Sequence, residues 1–348
     1  MSFFKKKIRK IEKKVFIQTP RTLFKKEEKK LDFQEVKISE KFKVYKTSFG
    51  NLNPDKVFYI IRRSPGAGIF SNVLYVLNHL NIAKKNNFIP IVDMKNYLTI
   101  YNEKIPINNN YNAWEYYFNN FSNYSLNEVY KSKNVLLSEN VFYKEFTRWL
   151  SRDDYLTDLL KKEIVIKKNL FNIYNFIKKK YFSNKIILGI HFRGTTYKYS
   201  PDHPFAATKS QIKNKIDEIL KKNKIDIIFL STEEKRYVKF LEKNYKNLIF
   251  CFSSSYRSNI NDAFNIYPRR HHRYKLGKEI LLETLLLSSC DHFIYTESNV
   301  SEFAISWNGN SQQKRYHIDN GLNSNNKFIA SWLWYYKSIM PRFLGGFE

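Results

Sequence analysis

Cysteine is scarce in this chain. Cys251 and Cys290 are its two cysteines, and each lies in an apolar run. This pattern favours buried thiols in a reducing compartment over a disulfide. Without a CxxC pair or a Cys/His cluster, we expect no bound metal. No apolar stretch reaches 18 residues, and none near the N-terminus has signal-peptide length, so we expect a cytoplasmic protein.

Acidic residues are few compared with basic ones. The 348 residues include 32 Asp or Glu and 60 Lys or Arg, a formal net charge of +28 at pH 7. A basic surface favours anionic partners such as nucleotides, acidic glycans, anionic lipids or nucleic acid. The chain has no helix-turn-helix, RNP or zinc-finger signature, and its lysines are scattered through both halves, so we expect no specific nucleic-acid partner.

The basic residues are densest at the N-terminus. Residues 1–30 contain twelve Lys or Arg and three Glu, a difference of +9. Phe4, Ile8, Ile11 and Val15 recur at helical spacing, which is typical of an amphipathic helix on an anionic membrane surface. A solvated basic tail fits the same composition. Both interpretations stay open.

A strand-turn-helix-strand pattern begins the apolar part of the chain. It comprises a strand at 57–63, a turn at 64–68, a helix at 71–85 and a strand at 88–93. The right-handed crossover makes the two strands parallel. Residues 101–155 are rich in Tyr, Asn and Trp with weak periodicity, which predicts short helices and loops around a cleft. Residues 169–182 then form a helix that leads out of this first domain.

Strands and helices alternate regularly in the second half. The predicted strands are 186–193, 226–232, 247–252 and 292–296, and the predicted helices are 209–222, 234–244, 277–289 and 298–307. Such alternation predicts an α/β, doubly wound parallel sheet that binds ligands at the carboxyl ends of its strands.

The two series predict two Rossmann-like, doubly wound domains that face a central cleft. We place the parts at 1–40 (basic segment), 41–182 (acceptor-side domain), 183–320 (nucleotide-sugar-binding domain) and 321–348 (C-terminal helix). Residues 328–347 are expected to pack across the domains as a helix, although a membrane-interface role for their aromatic side chains is an alternative.

The segment HFRGTT (191–196) lies at the end of a predicted buried strand. A guanidinium at Arg193 can grip a diphosphate through paired, charge-assisted hydrogen bonds. It would also stabilise negative charge on a departing nucleoside diphosphate. His191 points to the same side of the strand as a second donor. The alternative is an arginine paired with a carboxylate, beside a core histidine.

Three other segments lie where a predicted strand meets a helix. They are SPGAGIFSN (64–72), FLSTEE (229–234) and TESNVSEFA (296–304). Glycine lets the backbone approach a ligand, and free amides at a helix start favour an anion. The candidate donor-binding residues here are Gly66, Gly68, Asn72, Thr232, Glu233, Ser298 and Ser301. Ordinary helix capping explains the hydroxyls and acids of the last two segments equally well. Ser71 interrupts a GxGxxG pattern, so no dinucleotide cofactor is expected.

Taken in order, these segments resemble the fucosyltransferase superfamily, which includes α1,6-fucosyltransferases, the bacterial nodulation fucosyltransferase and protein O-fucosyltransferases. The resemblance covers roughly residues 57–310. It implies the GT-B fold and an inverting, metal-independent transfer of fucose from GDP-fucose to a hydroxyl. It also implies the following donor contacts: Arg193 to the β-phosphate, His191 in the donor pocket, Glu283 to the nucleoside, Ser298 to a phosphate or ribose, and Thr232 and Glu233 at the third motif.

The chain departs from the family pattern at three positions. Gly194 replaces a second arginine, Thr196 replaces an aspartate, and Ala67 replaces the glutamate base of the protein O-fucosyltransferases. An acceptor hydroxyl must still lose a proton when it attacks. In the α1,6 group the base lies in the loop after the arginine strand, and the carboxylate of that loop here is Asp202, with His203 beside it. The alternative is a turn in which Asp202 faces solvent.

The sequence therefore predicts a glycosyltransferase that builds a capsular or lipid-linked surface glycan on the cytosolic face of a membrane. GDP-fucose is the first donor expected, and another GDP-sugar such as a heptose is the second. A basic nucleic-acid-binding protein and a catalytically silent sugar-binding relative are the alternatives.

Overall fold

The computed structural model describes residues 32–38, 42–260, 263–308 and 312–348. Within these residues the strands form two five-stranded sheets. The first sheet contains β1 Gln34–Lys37, β2 Lys43–Thr47, β3 Leu52–Ile61, β4 Ile89–Val92 and β5 Ser132–Ser138. The second contains β6 Ile187–His191, β7 Ile227–Ser231, β8 Ile249–Phe250, β9 His292–Tyr295 and β10 Lys314–His317. The molecule is thus a mixed α/β protein, as the sequence predicts.

Helices connect most of these strands. They are α1 Ile69–Lys85, α2 Leu126–Val129, α3 Asp154–Glu163, α4 Lys168–Tyr181, α5 Lys209–Lys222, α6 Lys235–Tyr245, α7 His272–Leu287, α8 Asn299–Asn308 and α9 Lys327–Ile339. Each predicted helix of residues 57–308 is present to within a few residues. The start of α5 shows why: Thr208 forms a capping box with Gln211, and Ile212, Ile216 and Ile219 are buried along one face.

The first sheet has the order β1-β2-β5-β3-β4. Strands β3 and β4 pair in parallel across α1, as predicted. However, β1 and β2 are antiparallel to their neighbours, so the sheet is mixed and not uniformly parallel. The prediction of short helices and loops throughout 101–155 was wrong at β5. That strand is buried from Val135 to Ser138 and lies between β2 and β3.

The second sheet has the order β10-β9-β6-β7-β8, and every pair in it is parallel. The prediction of a parallel sheet in this half is therefore confirmed. Strand β6 lies at the centre, so the carboxyl ends of β6 and β7 meet at one edge. Strand β10 was not predicted; it lies at the outside of the sheet and is largely exposed.

One apolar core contains side chains from both halves of the described chain. Phe70 of α1 packs against Phe303 of α8 with ring centres 4.3 Å apart. Next to this contact, Glu302 Oε2 accepts hydrogen bonds from Ser151 N and Ser151 Oγ at 2.8 and 2.7 Å. The packing is continuous across position 182, where the sequence suggests a domain boundary. The boundary itself stays a prediction.

Several predictions concern the ends of the chain and the cysteines. The predicted N-terminal amphipathic helix lies outside the described residues. The predicted C-terminal helix at 328–347 is present as α9 but ends at Ile339, ahead of a single 3-10 turn, Arg342–Leu344. In the described part of the chain, no helix combines the length and apolar character needed to cross a bilayer. Cys251 and Cys290 are unpaired, and Cys290 is buried while Cys251 is half-buried.

Strand β6 packs against α7 through a residue without a side chain. A Cβ atom at Gly189 would lie 2.7 Å from Cys290 Sγ and 3.1 Å from Leu287 Cδ2. We predict that Gly189→Ala lowers the free energy of unfolding by about 1–3 kcal/mol, because the core has no space for the extra methyl group. Urea denaturation measures the loss. Adding Cys290→Ala removes the closest atom and should restore part of the stability; strictly additive effects of the two substitutions would contradict this packing.

Candidate functional site

A cleft opens at the carboxyl edge of the second sheet, where parallel α/β sheets bind ligands. Its cavity volume is about 160 Å³, and it is open to solvent. His191 at the end of β6 and Ser231 at the end of β7 line its floor, and Arg193 lies two residues beyond β6. The strand end that the sequence singled out therefore borders a cleft.

Arg193 projects into this cleft in an unusual environment for an arginine. Its side chain is 27% exposed, and its nearest carboxylate oxygen is Glu233 Oε1, 3.8 Å from Nε. The guanidinium carbon lies 4.4 Å from the ring centre of Tyr197. Nε is buried, and no acceptor among the described residues hydrogen-bonds to it. The guanidinium thus keeps donors for a further anion.

Glu233 is held in place by the loop that follows Arg193. Its Oε1 accepts hydrogen bonds from Gly194 N at 3.0 Å and Thr195 Oγ1 at 2.9 Å. Burial alone would raise the pKa of Glu233, but the charge of Arg193 and backbone N–H groups outweigh it and lower the pKa. Burial likewise opposes the charge of Arg193, yet Glu233 and nearby tyrosines raise its pKa. Both groups are therefore charged near neutral pH.

His191 is a buried, neutral histidine next to Arg193. Burial and then the Arg193 charge lower its pKa to about 3. Its Nδ1 lies 3.4 Å from Ser298 Oγ. Since the ring lines the cleft without a charge, it can act as a neutral hydrogen-bonding group.

Ser298 and Ser301 bond mainly to each other at the start of α8. Ser298 N donates to Ser301 Oγ at 2.9 Å, and Ser301 N donates to Ser298 Oγ at 3.2 Å. Both side chains are buried, and neither lines the cleft. These bonds fit the capping interpretation. Ser298 is linked to the cleft through His191.

Glu283 of α7 joins three segments at the floor of the cleft. Its Oε2 accepts from Ser231 Oγ and its Oε1 from Ser255 Oγ, both at 2.7 Å. Arg257 Nη2 lies 3.5 Å from Oε1. Burial raises the pKa of Glu283, and Arg257 together with the two serine hydroxyls opposes that rise. The carboxyl group lines the cleft and retains lone pairs for a ligand donor.

Thr232 accepts a backbone hydrogen bond and also lines the cleft. Its Oγ1 accepts a hydrogen bond from Glu234 N at 3.2 Å, which is a turn contact before α6. The side chain is buried, and the residue lines the cleft. Both interpretations of this position, turn residue and ligand contact, therefore have support.

Hydrogen bonds within the segment 64–72 hold the glycine turn in the first half of the chain. Gly66 has a left-handed φ of 72°, and the Asn72 amide accepts from Ala67 N at 3.0 Å and donates to Ala67 O at 3.1 Å. Gly68 directly precedes α1. Gly66, Gly68 and Asn72 do not line the cleft. Donor binding by these residues stays a prediction.

Tyr101, from the first half of the chain, lines the cleft. Its hydroxyl accepts a hydrogen bond from Ile69 N, at the start of α1, at 3.0 Å. Its ring meets Phe264 at 5.2 Å in a perpendicular arrangement. The Tyr101 hydroxyl thus occupies the Ile69 N–H at the helix start, a position where free N–H groups can bind an anion.

Asp202 and His203 lie on an exposed turn. Asp202 has a φ of 56°, and its N–H donates to Ser324 O at 3.3 Å. His203 Nδ1 lies 2.7 Å from Pro201 O, and its ring packs edge-on against Tyr197 at 5.3 Å. Neither residue lines the cleft. Their link to it is Tyr197, the ring over which Arg193 lies.

The part of the cleft wall at residues 255–260 and 263–264 was not predicted from the sequence. Ser255, Tyr256 and Phe264 of this segment line the cleft. The run SSSYRS (253–258) follows a predicted strand, so its hydroxyls carried a usable signal of a strand-end site.

The structure explains why position 194 lacks an arginine. A Cβ at Gly194 would clash with Glu234 Oε2 and lie 2.9 Å from Tyr237 Cε2. Glu234 pairs there with Lys198, whose Nζ lies 2.7 Å from Oε2. A longer side chain would have to displace this buried ion pair. Among the described residues, no group of three or more His, Cys, Asp or Glu is arranged to hold a metal ion.

No protein-family model and no curated protein matches this chain. Its fold is similar to that of the fucosyltransferase NodZ from Bradyrhizobium, with 14% identity, a TM-score of 0.45, and coverage of 78% of this chain and 99% of NodZ. It is also similar to a variant of Arabidopsis thaliana FUT1 in complex with GDP (11% identity, TM-score 0.43, coverage 78% and 72%). A third similar structure is POFUT1 in complex with GDP, with 11% identity, a TM-score of 0.41, and coverage of 76% of this chain and 99% of POFUT1. Since each TM-score is below 0.5, the roles of individual residues rest on the geometry of the cleft.

The buried state of His191 predicts a pH effect on stability. Its pKa is about 3 in the folded chain against an ordinary value of 6.5, so the unfolded chain binds more protons between these values. The free energy of unfolding therefore falls as the pH drops through that window, by at most about 1.4 kcal/mol per pH unit. We predict a shallower fall for His191→Asn, measured by urea denaturation at several pH values. His203→Asn, at an exposed position, is the control. Equal slopes for His191→Asn and the unsubstituted chain would contradict the assignment.

Proposed function

We propose that this chain is a glycosyltransferase of the GT-B type that binds a GDP-linked sugar in the cleft beside β6. The observation that carries the proposal is the Arg193 guanidinium, which lines the cleft with a buried Nε that no acceptor among the described residues engages. The guanidinium is partly buried, and a partly buried cation that keeps free donors gains stability when an anion completes its environment. A diphosphate supplies that anion.

The surrounding residues suit the remaining parts of a nucleotide. Thr195, Thr232 and Ser258 line the cleft and supply hydroxyl groups near Arg193 or the end of β7. Phe264 offers a ring against which a base can pack. The Glu283 carboxyl group can accept hydrogen bonds from N–H donors on a base, a role that fits guanine. GDP-fucose is the donor we propose first, and another GDP-sugar is second.

The chemistry we propose is a single displacement with inversion. The acceptor oxygen attacks the anomeric carbon, the bond from that carbon to the β-phosphate oxygen breaks, and GDP leaves with the bonding electron pair. The positive charge of Arg193 offsets the negative charge that grows on the leaving phosphate, so no metal ion is needed for this step. Neutral His191 adds a hydrogen-bonding group without repelling Arg193.

For the base we propose Asp202, with His203 next to it. The Asp202 carboxylate lies on the loop that follows Arg193 and, among the described residues, forms no side-chain hydrogen bond or ion pair. The cleft carboxylates are more engaged: Glu279 binds Arg269 through both oxygens, at 2.5 and 2.7 Å, and Glu283 binds two serines. Glu233 has a lowered pKa, which makes it a weaker base.

We propose that the acceptor is a capsular or lipid-linked surface glycan, modified on the cytosolic face of a membrane. The basic composition of the chain supports an anionic surface or acceptor. The first sheet and its connecting loops form the acceptor side in this proposal, and the second sheet forms the donor side.

Calorimetry with GDP tests the donor site. Arg193→Ala should weaken GDP binding by about 10- to 100-fold, because a charge-assisted contact to phosphate is lost. Arg315→Ala, an exposed arginine on β10, removes the same charge and should leave the affinity unchanged. No GDP binding by the unsubstituted chain, or equal binding by Arg193→Ala, would contradict the proposed site.

Turnover of GDP-fucose with an acceptor tests the base. Asp202→Asn should reduce the transfer rate by about 100-fold or more while GDP affinity stays the same, because a general base acts on the acceptor and not on the donor. Glu233→Gln is the comparison, and it should weaken donor binding through Arg193. Full activity of Asp202→Asn would exclude Asp202 as the base.

A further inference from the structure

Helix α9 carries an exposed apolar stripe on a face that nothing in the described chain covers. The stripe consists of Phe328, Ile329, Trp332, Tyr335, Tyr336 and Ile339. Their spacing places all six within about one third of the helix circumference at 3.6 residues per turn. Phe328 and Ile339 are 79% and 78% exposed, so the stripe is open from end to end.

The opposite face of α9 already anchors the helix to the protein. Trp334 Nε1 donates to Ala206 O at 2.8 Å, and Asn323 Nδ2 donates to Ala330 O at 3.1 Å. Lys198 Nζ lies 5.1 Å from the ring centre of Trp334. The helix is therefore held on the loop after β6 without using the stripe, whose side chains are left for a partner.

The charges around the stripe indicate what kind of partner it fits. Residues 320–347 contain no Asp or Glu, while exposed Lys327 lies at the start of α9 and exposed Arg342 lies just beyond its end. Phe343 and Leu344, in the turn Arg342–Leu344, extend the exposed apolar surface. Aromatic rings with cationic neighbours and no acids are typical of helices that lie in the interface of an anionic bilayer.

We propose that α9 and the turn Arg342–Leu344 dock on the surface of an anionic membrane, with the stripe buried among the lipid head groups. A second copy of this chain is a poorer occupant, because each copy carries a formal charge of +28 and the stripe is bordered by cations. This inference does not depend on the proposed donor or reaction.

Sedimentation with lipid vesicles tests the proposal on the full chain. The chain should bind vesicles of phosphatidylcholine with an equal amount of phosphatidylglycerol more tightly than vesicles of phosphatidylcholine alone. The variant Phe328→Ser/Trp332→Ser/Ile339→Ser should lower the partition coefficient at least about tenfold, because exposed side chains that enter the lipid are lost. The control Tyr155→Ser/Val165→Ser/Phe176→Ser removes equally exposed apolar groups elsewhere and should bind like the unsubstituted chain.

Tryptophan fluorescence with brominated lipids reports the contact directly. Quenching should disappear in Trp332→Phe and persist in Trp307→Phe, since Trp307 is half-buried and packs on Phe303. Unchanged vesicle binding by the stripe variant would overturn the proposal and assign binding to other basic residues. A concentration-dependent dimer that the stripe variant abolishes in analytical ultracentrifugation, without vesicle binding, would overturn it in favour of a second copy.

Discussion

A partly buried, incompletely paired positive charge governs this site. The guanidinium of Arg193 lies at the carboxyl edge of a parallel sheet, 3.8 Å from Glu233 and over the ring of Tyr197. Such a charge is expensive to bury without hydrogen-bond partners, and the fold provides only part of the compensation. The neighbouring His191 is neutral because burial lowers its pKa. It therefore adds no second positive charge that would repel Arg193. In the proposed function, a diphosphate in the cleft supplies the anion that completes the hydrogen bonding of Arg193.

The rest of the cleft is built around carboxyl groups that hold backbone segments in place. Glu233 fixes the loop after β6 through Gly194 N and Thr195 Oγ1. Glu283 ties β7 and the loop at residue 255 to α7. These contacts set the positions of groups from three parts of the sequence before any ligand binds. The proposed transferase therefore meets its donor with a largely pre-formed site, which limits the ordering cost of binding.

The sequence predicts β6, β7, β8 and β9 of the second sheet because each is an apolar run that a predicted helix follows, whereas it does not predict β10. It also locates Arg193 and His191, since a buried strand that ends in charged residues marks a ligand edge. It fails at β5, which is apolar only around Val135 to Leu137 and is defined by its distant partners β2 and β3. It also misses the part of the cleft wall at residues 255–260 and 263–264, because a loop has no periodicity that shows which cavity it borders. At the glycine turn the structure shows two hydrogen bonds between Ala67 and the Asn72 amide, and donor binding by Gly66 stays a prediction.

The most direct measurement is a crystal structure of the chain with GDP. Our account predicts that the β-phosphate lies within hydrogen-bonding distance of the Arg193 guanidinium, with the guanine ring between residues 255–260 and α7, near Glu283. GDP bound elsewhere, or an Arg193 side chain that contacts only Glu233 and Tyr197 while GDP is present, would contradict it.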